Sequence, residues 1–309
     1  MIWAWAFPGA LLTGLVAAPF VREALRKPVS DTARADAPGA MIDLPQGATY
    51  YRWRGPETGP VAVCVHGLTT PSAVWDNVAD GLTHLGFRVL TYDLYGRGLS
   101  AQVRGPQDAA FFTRQLHDLL DALKVSDDIT LLGYSMGGAI APTFAAAYPG
   151  RLRQMVLIAP VGLGHDLGPA TRLITNTGAL GTWAMHALYP RSFRHACESE
   201  RGAAGQMADV QIAQLNRRGF VPSVLSSLRG IMDWPMGDTH RAIAATDLPV
   251  LAIWGADDDI IPLSGRAELS ALNPGATHEV IEGAGHSLTY TDSAAVVTAL
   301  ERWLALPDN

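Results

Sequence analysis

The sequence predicts an α/β protein whose mainly parallel, doubly wound sheet is interrupted by a helical insertion. From residue 61 to residue 159, short apolar runs alternate with helical segments, and parallel strands require such crossover helices between them. The alternation stops between residues 161 and 246, where helical patches rich in Ala, Leu, Met and Arg follow one another. It resumes with the apolar run 248–254, so the insertion separates two parts of one sheet.

Length and composition fit one large domain with an insertion. The chain has 309 residues, of which 48% are hydrophobic, and this suffices for a sizeable core. We divide it into an apolar N-terminal segment (1–29), a first core part (30–160), a helical insertion (161–246) and a second core part (247–309). The net charge of −6 and the lack of a basic block disfavour nucleic acid as a partner. The composition leaves the oligomeric state open.

The N-terminal segment departs from the pattern of a plain globular domain. Residues 1–21 carry no charged side chain, and basic residues follow from Arg22 onward. This length just suffices for a helix across a bilayer, and Trp3 and Trp5 suit a membrane interface. Basic residues on the C-terminal side of the segment would keep the rest of the chain in the cytoplasm. A cytoplasmic, membrane-anchored protein is therefore one interpretation.

Two other interpretations of this segment remain open. A secretory signal normally begins with a basic region, which is missing here, although Ala17 and Ala18 resemble a cleavage neighbourhood, so export is the alternative localisation. The segment is also typical of an apolar helix packed on the protein body. Pro8 and Pro19 predict a shortened helix, which weakens the spanning interpretation.

The remaining elements follow in order. Residues 30–39 are polar and rich in Ala, Asp and Pro, which predicts a linker. Two strands are expected at 40–44 and 49–53. The alternating part then predicts strands at 61–65, 88–92, 129–132 and 154–159, with helices at 73–85, 106–123 and 137–148. Strands at 248–254 and 278–281 complete the sheet.

One turn of this sheet carries the strongest chemical signal. Gly133-Tyr-Ser135-Met-Gly137 lies between a buried strand and a helix of small residues, which is the setting of a nucleophile elbow. Such a turn forces the serine into a strained conformation with its Oγ exposed above the sheet. Gly133 and Gly137 are expected because a Cβ at either position would collide with the neighbouring strand or helix.

A nucleophilic serine needs a base, and the base needs an orienting carboxylate. The strand at 248–254 is followed by Asp257, Asp258 and Asp259, and the strand at 278–281 leads into a glycine-flanked His286. The order serine, acid, histidine is the order expected for this kind of turn. Asp259 fits a solvated turn residue, but the pattern alone leaves the choice of acid open.

At this point the chain resembles the α/β-hydrolase fold family. That family commonly shows G-x-x-D-x-x-x-P around its acid, and Gly255, Asp258 and Pro262 fit the frame. The resemblance therefore implies the triad Ser135, Asp258 and His286, with Asp257 as the alternative acid. It covers about residues 50–303 and includes four motifs in the family's order.

The resemblance also assigns two loops. After the strand at 61–65, the residue following the His66-Gly67 pair is expected to give one oxyanion-binding N–H, that of Leu68, and Met136 the other. His66 is expected to brace its loop. The family often carries D-x-x-G-x-G-x-S after the strand at 88–92. Here Asp93 is expected to tie down the loop, with Arg97 as its partner or in solvent.

The insertion lies where α/β-hydrolases carry a cap, which supplies much of the substrate pocket. We expect pocket residues among Trp75, Tyr134, Trp183 and Trp234, although core packing is the more frequent role of such apolar side chains. No Cys/His cluster has metal-ligand spacing and no G-x-G-x-x-G follows a strand, so no cofactor or metal is predicted.

These features favour a serine hydrolase of the carboxylesterase or lipase type. The expected substrate is a small-molecule ester with an apolar acyl group, such as an acyl ester or a monoacylglycerol. Relatives of this fold use the same triad on other bonds, so a hydrolase of C–C bonds in meta-cleavage products is the alternative, followed by serine peroxidases and prolyl peptidases. A non-catalytic ligand-binding protein is the alternative from another class.

Overall fold

The computed structural model describes the backbone of residues 3–305 and the side chains of residues 13–305. Within this part, eight strands form one sheet in the order β1-β2-β4-β3-β5-β6-β7-β8. The strands are β1 (Ala40–Leu44), β2 (Gly47–Arg54), β3 (Val61–Val65), β4 (Arg88–Tyr92), β5 (Ile129–Tyr134), β6 (Leu152–Ile158), β7 (Val250–Gly255) and β8 (Thr277–Ile281). β1 and β2 pair antiparallel, β2 pairs antiparallel with β4, and the other pairs are parallel.

Helices cover both faces of this sheet. The α-helices are α1 (Trp3–Leu25), α2 (Asp31–Ala35), α3 (Asp76–His84), α4 (Ala109–Ala122), α5 (Gly137–Ala147), α6 (Gly168–Asn176), α7 (Gly178–Ser199), α8 (Arg201–Ala204), α9 (Gln206–Gln214), α10 (Phe220–Leu228), α11 (Gly237–Ala244), α12 (Ser264–Leu272), α13 (Leu288–Thr291) and α14 (Ser293–Leu304). Short 3₁₀ turns lie at Ser72–Trp75, Pro149–Arg151 and Ile231–Asp233. The predicted fold class is confirmed, and the segment 161–246 contains helices α6 to α11 and no strand.

The central strands are apolar because helices cover both of their faces. β5 and β7 are buried along their whole length, as expected for strands of a parallel sheet. The chain runs from β3 to β4 on one side and then to β5 on the other. This reversal of strand order opens a crevice at the carboxyl ends of the strands. Since Val65 pairs with Gly133, the loops after β3 and β5 meet in that crevice.

Helix α1 packs on the protein body through its C-terminal half. The Phe20 ring lies 5.1 Å from the ring of His186 on α7, and the buried Glu23 carboxylate accepts a hydrogen bond of 2.6 Å from the Gly219 N–H. The helix runs without a break through Pro19, so the expected shortening is wrong there. A proline removes one backbone donor, and this packing offsets the loss.

One finding bears on the membrane interpretations of the N-terminus. Among the residues that the structure describes, no helix combines the length and the apolar character needed to cross a membrane. The side chains of Trp3 and Trp5, which we expected at a membrane interface, lie outside the described residues.

The segment 30–39, predicted to be a linker, contains helix α2. Ser30 caps this helix, because its Oγ accepts a hydrogen bond from the Ala33 N–H at 3.1 Å. The Arg34 Nε donates to the Leu99 carbonyl at 3.1 Å. A serine before an aspartate is a helix-start signal, and the polar composition of the segment concealed it.

Two histidines are fully buried, and their burial predicts a loss of stability in acid. Burial lowers the pKa of His66 to about 3 and that of His240 to about 4, from an ordinary value near 6.5. Below pH 6.5 the unfolded chain therefore binds protons that the folded chain does not. The free energy of unfolding must fall as the pH falls through this window. Each unit of pKa shift corresponds to about 1.4 kcal/mol.

We expect His240→Met to reduce this acid sensitivity. Within the described residues both ring nitrogens of His240 are buried without a hydrogen-bond partner, so methionine removes a group whose protonation in the folded state is opposed by burial. When the pH is lowered from 7 to 4, the free energy of unfolding of the variant should fall by up to about 3 kcal/mol less than that of wild type. Urea unfolding at several pH values measures this. His84→Met, at an exposed site, is the control, and equal pH slopes for His240→Met and wild type would contradict the assignment.

Candidate active site

Ser135 lies at the tight turn between β5 and α5. Its φ of 55° is in the left-handed region, a conformation that costs roughly 1–3 kcal/mol for residues other than glycine. The Ser135 N–H donates to the Ile158 carbonyl at 3.0 Å. The Ser135 carbonyl accepts from the N–H groups of Gly138 and Val161 at 2.8 and 3.1 Å. These bonds hold the strained turn, and the Ser135 side chain lines a cavity.

The glycines on either side allow the turn to pack closely. A Cβ on Gly133 would stand 2.2 Å from the Gly137 carbonyl oxygen, and one on Gly137 would stand 2.1 Å from the Val65 carbonyl oxygen. Both obstacles are backbone atoms, which cannot move aside as the end of a flexible side chain can. The expectation that a Cβ at either position collides with its neighbours is confirmed.

His286 joins Ser135 to a buried carboxylate. The His286 Nε2 lies 3.0 Å from the Ser135 Oγ, and its Nδ1 lies 2.9 Å from the Asp258 Oδ2. Because the carboxylate faces Nδ1, this nitrogen carries the proton and donates it, while Nε2 is free to accept the hydroxyl proton of Ser135. The three side chains thus form one hydrogen-bonded chain that can move a proton away from Ser135.

Asp258 is the aspartate of the three that reaches His286. Its side chain is 0% exposed, and its other oxygen accepts hydrogen bonds of 2.9 and 2.7 Å from the N–H groups of Ile260 and Ile261. Asp257 and Asp259 are exposed. The two isoleucine N–H groups therefore orient the carboxylate, a role that the sequence interpretation missed.

Tyr134 anchors the loop that carries His286. Its hydroxyl donates to the His286 carbonyl at 2.9 Å, and the two rings lie 5.5 Å apart. Burial raises the pKa of Tyr134 well above its usual value, so the phenol remains a donor at neutral pH. Tyr134 also lines the cavity that contains Ser135.

Leu68 lies in the loop after β3, and Met136 directly follows Ser135 at the start of α5. A Cβ on the neighbouring Gly67 would stand 3.2 Å from the Ser135 Cβ, so the loop after β3 approaches the serine closely. In the part of the chain that the structure describes, the N–H groups of Leu68 and Met136 donate to no protein acceptor. Two backbone donors in the loops around Ser135 therefore have no protein acceptor.

His66 braces the loop after β3, as expected. The Leu94 N–H donates to its Nε2 at 2.9 Å, so Nδ1 carries the proton and donates to the Gly67 carbonyl at 2.8 Å. Burial holds the pKa of His66 near 3, so the ring is neutral at pH 7. With both nitrogens engaged, His66 is not available as a second base.

Asp93 ties two loops together, also as expected. Its two carboxylate oxygens accept hydrogen bonds of 2.7 Å each, from the Ser72 and Leu99 N–H groups. A Cβ on Gly98 would stand 1.9 Å from the Asp93 Oδ2, and Gly98 has a φ of 51°. Only glycine fits this position, which explains part of the D-x-x-G-x-G-x-S pattern.

Arg97 is neither the partner of Asp93 nor in solvent, so both expectations for it are wrong. The side chain is buried, and its Nε donates to the Leu68 carbonyl at 3.0 Å. Further guanidinium donors reach Gln107 and, at 2.8 Å, the Ser227 Oγ on α10. Burial lowers its pKa to about 9, which leaves it charged at pH 7. Arg97 thus connects the loop after β3 to the helical segment.

The cavity at Ser135 lies between the sheet and the helical segment 161–246. Its volume is about 490 Å³, within the usual range of small-molecule sites. The loops of the core supply Gly67, Leu68, Ser135 and His286. The helical segment supplies an apolar wall made of Leu167, Ile174, Met185, Tyr189, Phe193, Val224, Leu228 and Met232.

Three of the four aromatic residues expected in the pocket do not line this cavity. Trp75 is 0% exposed and packs edge-on against Tyr134, with ring centroids 6.3 Å apart. Trp183 lies outside the lining, and Trp234, 45% exposed, borders a separate polar cavity instead. Position near a loop in the sequence does not determine which way a side chain points, and these three side chains point away from the cavity lining.

The described residues offer no metal site. Across residues 13–305, no three His, Cys, Asp or Glu side chains come together in an arrangement that could hold a metal ion.

Comparison with protein families gives a match over most of the chain. A family model described as alpha/beta hydrolase fold matches residues 60–293. A solved structure of a hydrolase from Pseudomonas aeruginosa superimposes with a TM-score of 0.73 at 23% identity, over 88% of this chain and 100% of that chain. This likeness concerns the fold alone.

Curated relatives share about a quarter of their residues with this chain. An uncharacterized protein of Mycobacterium tuberculosis is 26% identical over 80% of this chain and 76% of that protein. A pimeloyl-[acyl-carrier protein] methyl ester esterase of Aliivibrio salmonicida is 25% identical, over 84% of this chain and 98% of the esterase. A 2-hydroxy-6-oxo-2,4-heptadienoate hydrolase of Pseudomonas putida is 25% identical, over 81% of this chain and 91% of that hydrolase.

Proposed function

Because the chain belongs to the alpha/beta hydrolase fold family, we propose that it is a serine hydrolase that cleaves carboxylic esters through an acyl-enzyme. The observation that carries this proposal is the hydrogen-bonded chain Ser135–His286–Asp258, which opens into an apolar cavity. A serine hydroxyl becomes a useful nucleophile when a base stands within hydrogen-bond reach and a third group orients that base.

In the first half of the proposed reaction, the Ser135 Oγ attacks the ester carbonyl carbon. His286 Nε2 takes the hydroxyl proton, and Asp258 stabilises the imidazolium and holds Nδ1–H in place. When the tetrahedral intermediate collapses, the C–O bond to the leaving alcohol breaks and His286 protonates that alcohol. Water then repeats the sequence on the acyl-enzyme, which releases the carboxylic acid and regenerates Ser135.

The N–H groups of Leu68 and Met136 are proposed to bind the oxyanion of both tetrahedral intermediates. Two features support this: neither donor is engaged by the described part of the protein, and the adjoining loop approaches Ser135 closely. Each fixed donor of this kind typically lowers the barrier by about 3–4 kcal/mol. His66 and Arg97 keep the Leu68 loop in position through its carbonyl groups.

The cavity supports an apolar acyl group as the bound part of the substrate. Most of its lining is aliphatic or aromatic, and the helical segment, which we regard as a cap, provides the larger share. The similarity to a methyl ester esterase agrees with an ester substrate. Simple acyl esters and monoacylglycerol-like esters fit these features.

A C–C bond hydrolase is the second candidate, favoured by the similarity to the heptadienoate hydrolase. Substrates of that kind carry a carboxylate, which a site normally binds with a cation. Among the described residues that line the cavity, none is a lysine or an arginine, whereas Asp166, Glu200 and Asp259 are present. This lining disfavours an anionic substrate and places the ester proposal first. A comparison of kcat/KM for neutral lipid esters and for a vinylogous diketone dienoate separates the two.

A series of p-nitrophenyl esters from acetate to palmitate tests the proposal. We expect turnover with an optimum shorter than palmitate, because one cavity of about 490 Å³ must hold both the acyl chain and the leaving group. The kcat/KM for the best ester should exceed that for palmitate by at least about 10-fold. A folded wild-type protein that hydrolyses none of these esters would contradict the proposal.

A further inference from the structure

A threonine beside the Ser135 turn has a buried hydroxyl without a partner. Thr70 is 4% exposed, and among the described residues its Oγ1 is buried and makes no hydrogen bond. A buried hydroxyl that lacks a partner typically costs about 1–3 kcal/mol. Thr70 lines the cavity that contains Ser135, so a bound molecule can supply the missing acceptor.

This hydroxyl lies close to Ser135 and to the loop after β3. The point where a Cβ on Gly67 would stand is 3.6 Å from the Thr70 Oγ1 and 3.5 Å from the Ser135 Oγ. Both oxygens therefore lie within 3.6 Å of one point beside Gly67, the residue that precedes Leu68. The Thr70 hydroxyl is thus close both to the oxygen that would attack a substrate and to the loop that carries the Leu68 N–H.

The backbone around Thr70 is fixed from both sides. The Leu68 carbonyl accepts from Arg97 at 3.0 Å, and the Ser72 N–H donates to the buried Asp93 carboxylate at 2.7 Å. A β-branched side chain also has few χ1 rotamers available. The hydroxyl is therefore oriented before a ligand arrives, as an effective transition-state donor must be.

We propose that the Thr70 hydroxyl is a third donor to the oxyanion, in addition to the N–H groups of Leu68 and Met136. This inference rests on the proposed ester hydrolysis and names a further catalytic residue for it. As negative charge develops on the ester carbonyl oxygen, the Thr70 O–H donates a hydrogen bond to it, and no proton is transferred.

The test compares Thr70→Val and Thr70→Ser in hydrolysis of p-nitrophenyl butyrate. Valine keeps the shape and removes the donor, so kcat should fall by about 100-fold with little change in KM. Serine retains the donor and should stay within about 10-fold of wild type. The inhibition constant of an alkyl trifluoromethyl ketone, whose adduct with serine carries an oxyanion, should rise with Thr70→Val by the same factor by which kcat/KM falls.

A matched control separates this role from a structural one. Thr113 on α4 also has a buried Oγ1 without a partner among the described residues, and it does not line the cavity. Thr113→Val should keep wild-type kcat, and neither valine variant should lower the Tm.

Two results would overturn the proposal: Thr70→Val activity within about threefold of wild type, or a loss of activity without weaker binding of the ketone. Either result leaves the proposed function intact if wild-type turnover still depends on Ser135. Turnover that persists in Ser135→Ala would instead overturn the proposed function.

Discussion

Ester hydrolysis by the Ser135→Ala variant is expected to fall by at least about 10⁴-fold in kcat relative to wild type. Alanine removes the oxygen that would attack the carbonyl carbon, and the remaining donors alone cannot form an acyl-enzyme. The backbone is expected to tolerate the change, because the Ser135 main-chain hydrogen bonds to Ile158, Gly138 and Val161 do not involve its side chain.

A similar loss of activity is expected when His286 is replaced, alone or together with Ser135. His286→Ala should lose activity to a similar extent, and the double variant should be no worse than either single variant, because groups that act as one unit are not additive. Initial rates on p-nitrophenyl butyrate measure all three, with circular dichroism as the check on folding. Ser135→Ala that retains more than about 1% of wild-type kcat, or double-variant losses that multiply, would contradict a shared role.

The second large effect is expected for Gly137→Ala. An added Cβ at the start of α5 would stand 2.1 Å from the carbonyl oxygen and 2.8 Å from the carbonyl carbon of Val65. Helix α5 would have to move away from β3, and the Ser135 turn would move with it. Alanine is favoured over glycine in a helix by about 1 kcal/mol, but the clash with the strand backbone outweighs this gain. We therefore expect the free energy of unfolding to fall by more than about 3 kcal/mol.

Gly150→Ala is the matched control, since a Cβ there meets no atom within 4 Å. Its free energy of unfolding should stay within about 0.5 kcal/mol of wild type. Urea unfolding measures both variants, and the yield of soluble protein is a second readout. Equal stabilities of Gly137→Ala and Gly150→Ala would show that α5 can shift without cost, and the account of the turn would then be wrong.

The sheet could be predicted from the sequence because its strands are buried on both faces. Continuous apolar runs such as residues 61–65 then stand out from the helical segments between them. The Ser135 turn could be predicted equally well, because close packing admits only glycine at positions 133 and 137. In both cases the constraint comes from packing against distant parts of the chain, but it determines the residue types within one short segment, and the sequence displays that pattern.

The choice of Asp258 depended on a resemblance, and the structure supplies its physical reason. The N–H groups two and three residues further along the chain bind the Asp258 Oδ1, which is the local pattern of an Asx turn. That signal is present in the sequence but does not distinguish three consecutive aspartates by itself.

Arg97 and the tryptophans lay beyond sequence reasoning for a different reason. The acceptors of Arg97 include Leu68, Gln107 and Ser227, which belong to three separate parts of the chain. Because all of these acceptors are uncharged, the sequence contains no opposite charge that would identify the partners of Arg97. The direction of the Trp75 indole was likewise decided by packing against Tyr134, a contact between residues 59 positions apart that neither local segment reveals.

The most direct test of the central claim is to label Ser135 covalently. Wild-type protein is treated with a serine-reactive fluorophosphonate, and mass spectrometry measures the intact protein and its peptides. We predict one adduct per chain, located on Ser135, absent in Ser135→Ala and formed much more slowly in His286→Ala. A folded wild-type protein that takes up no label, or an adduct at another residue, would contradict the assignment of Ser135 as the nucleophile.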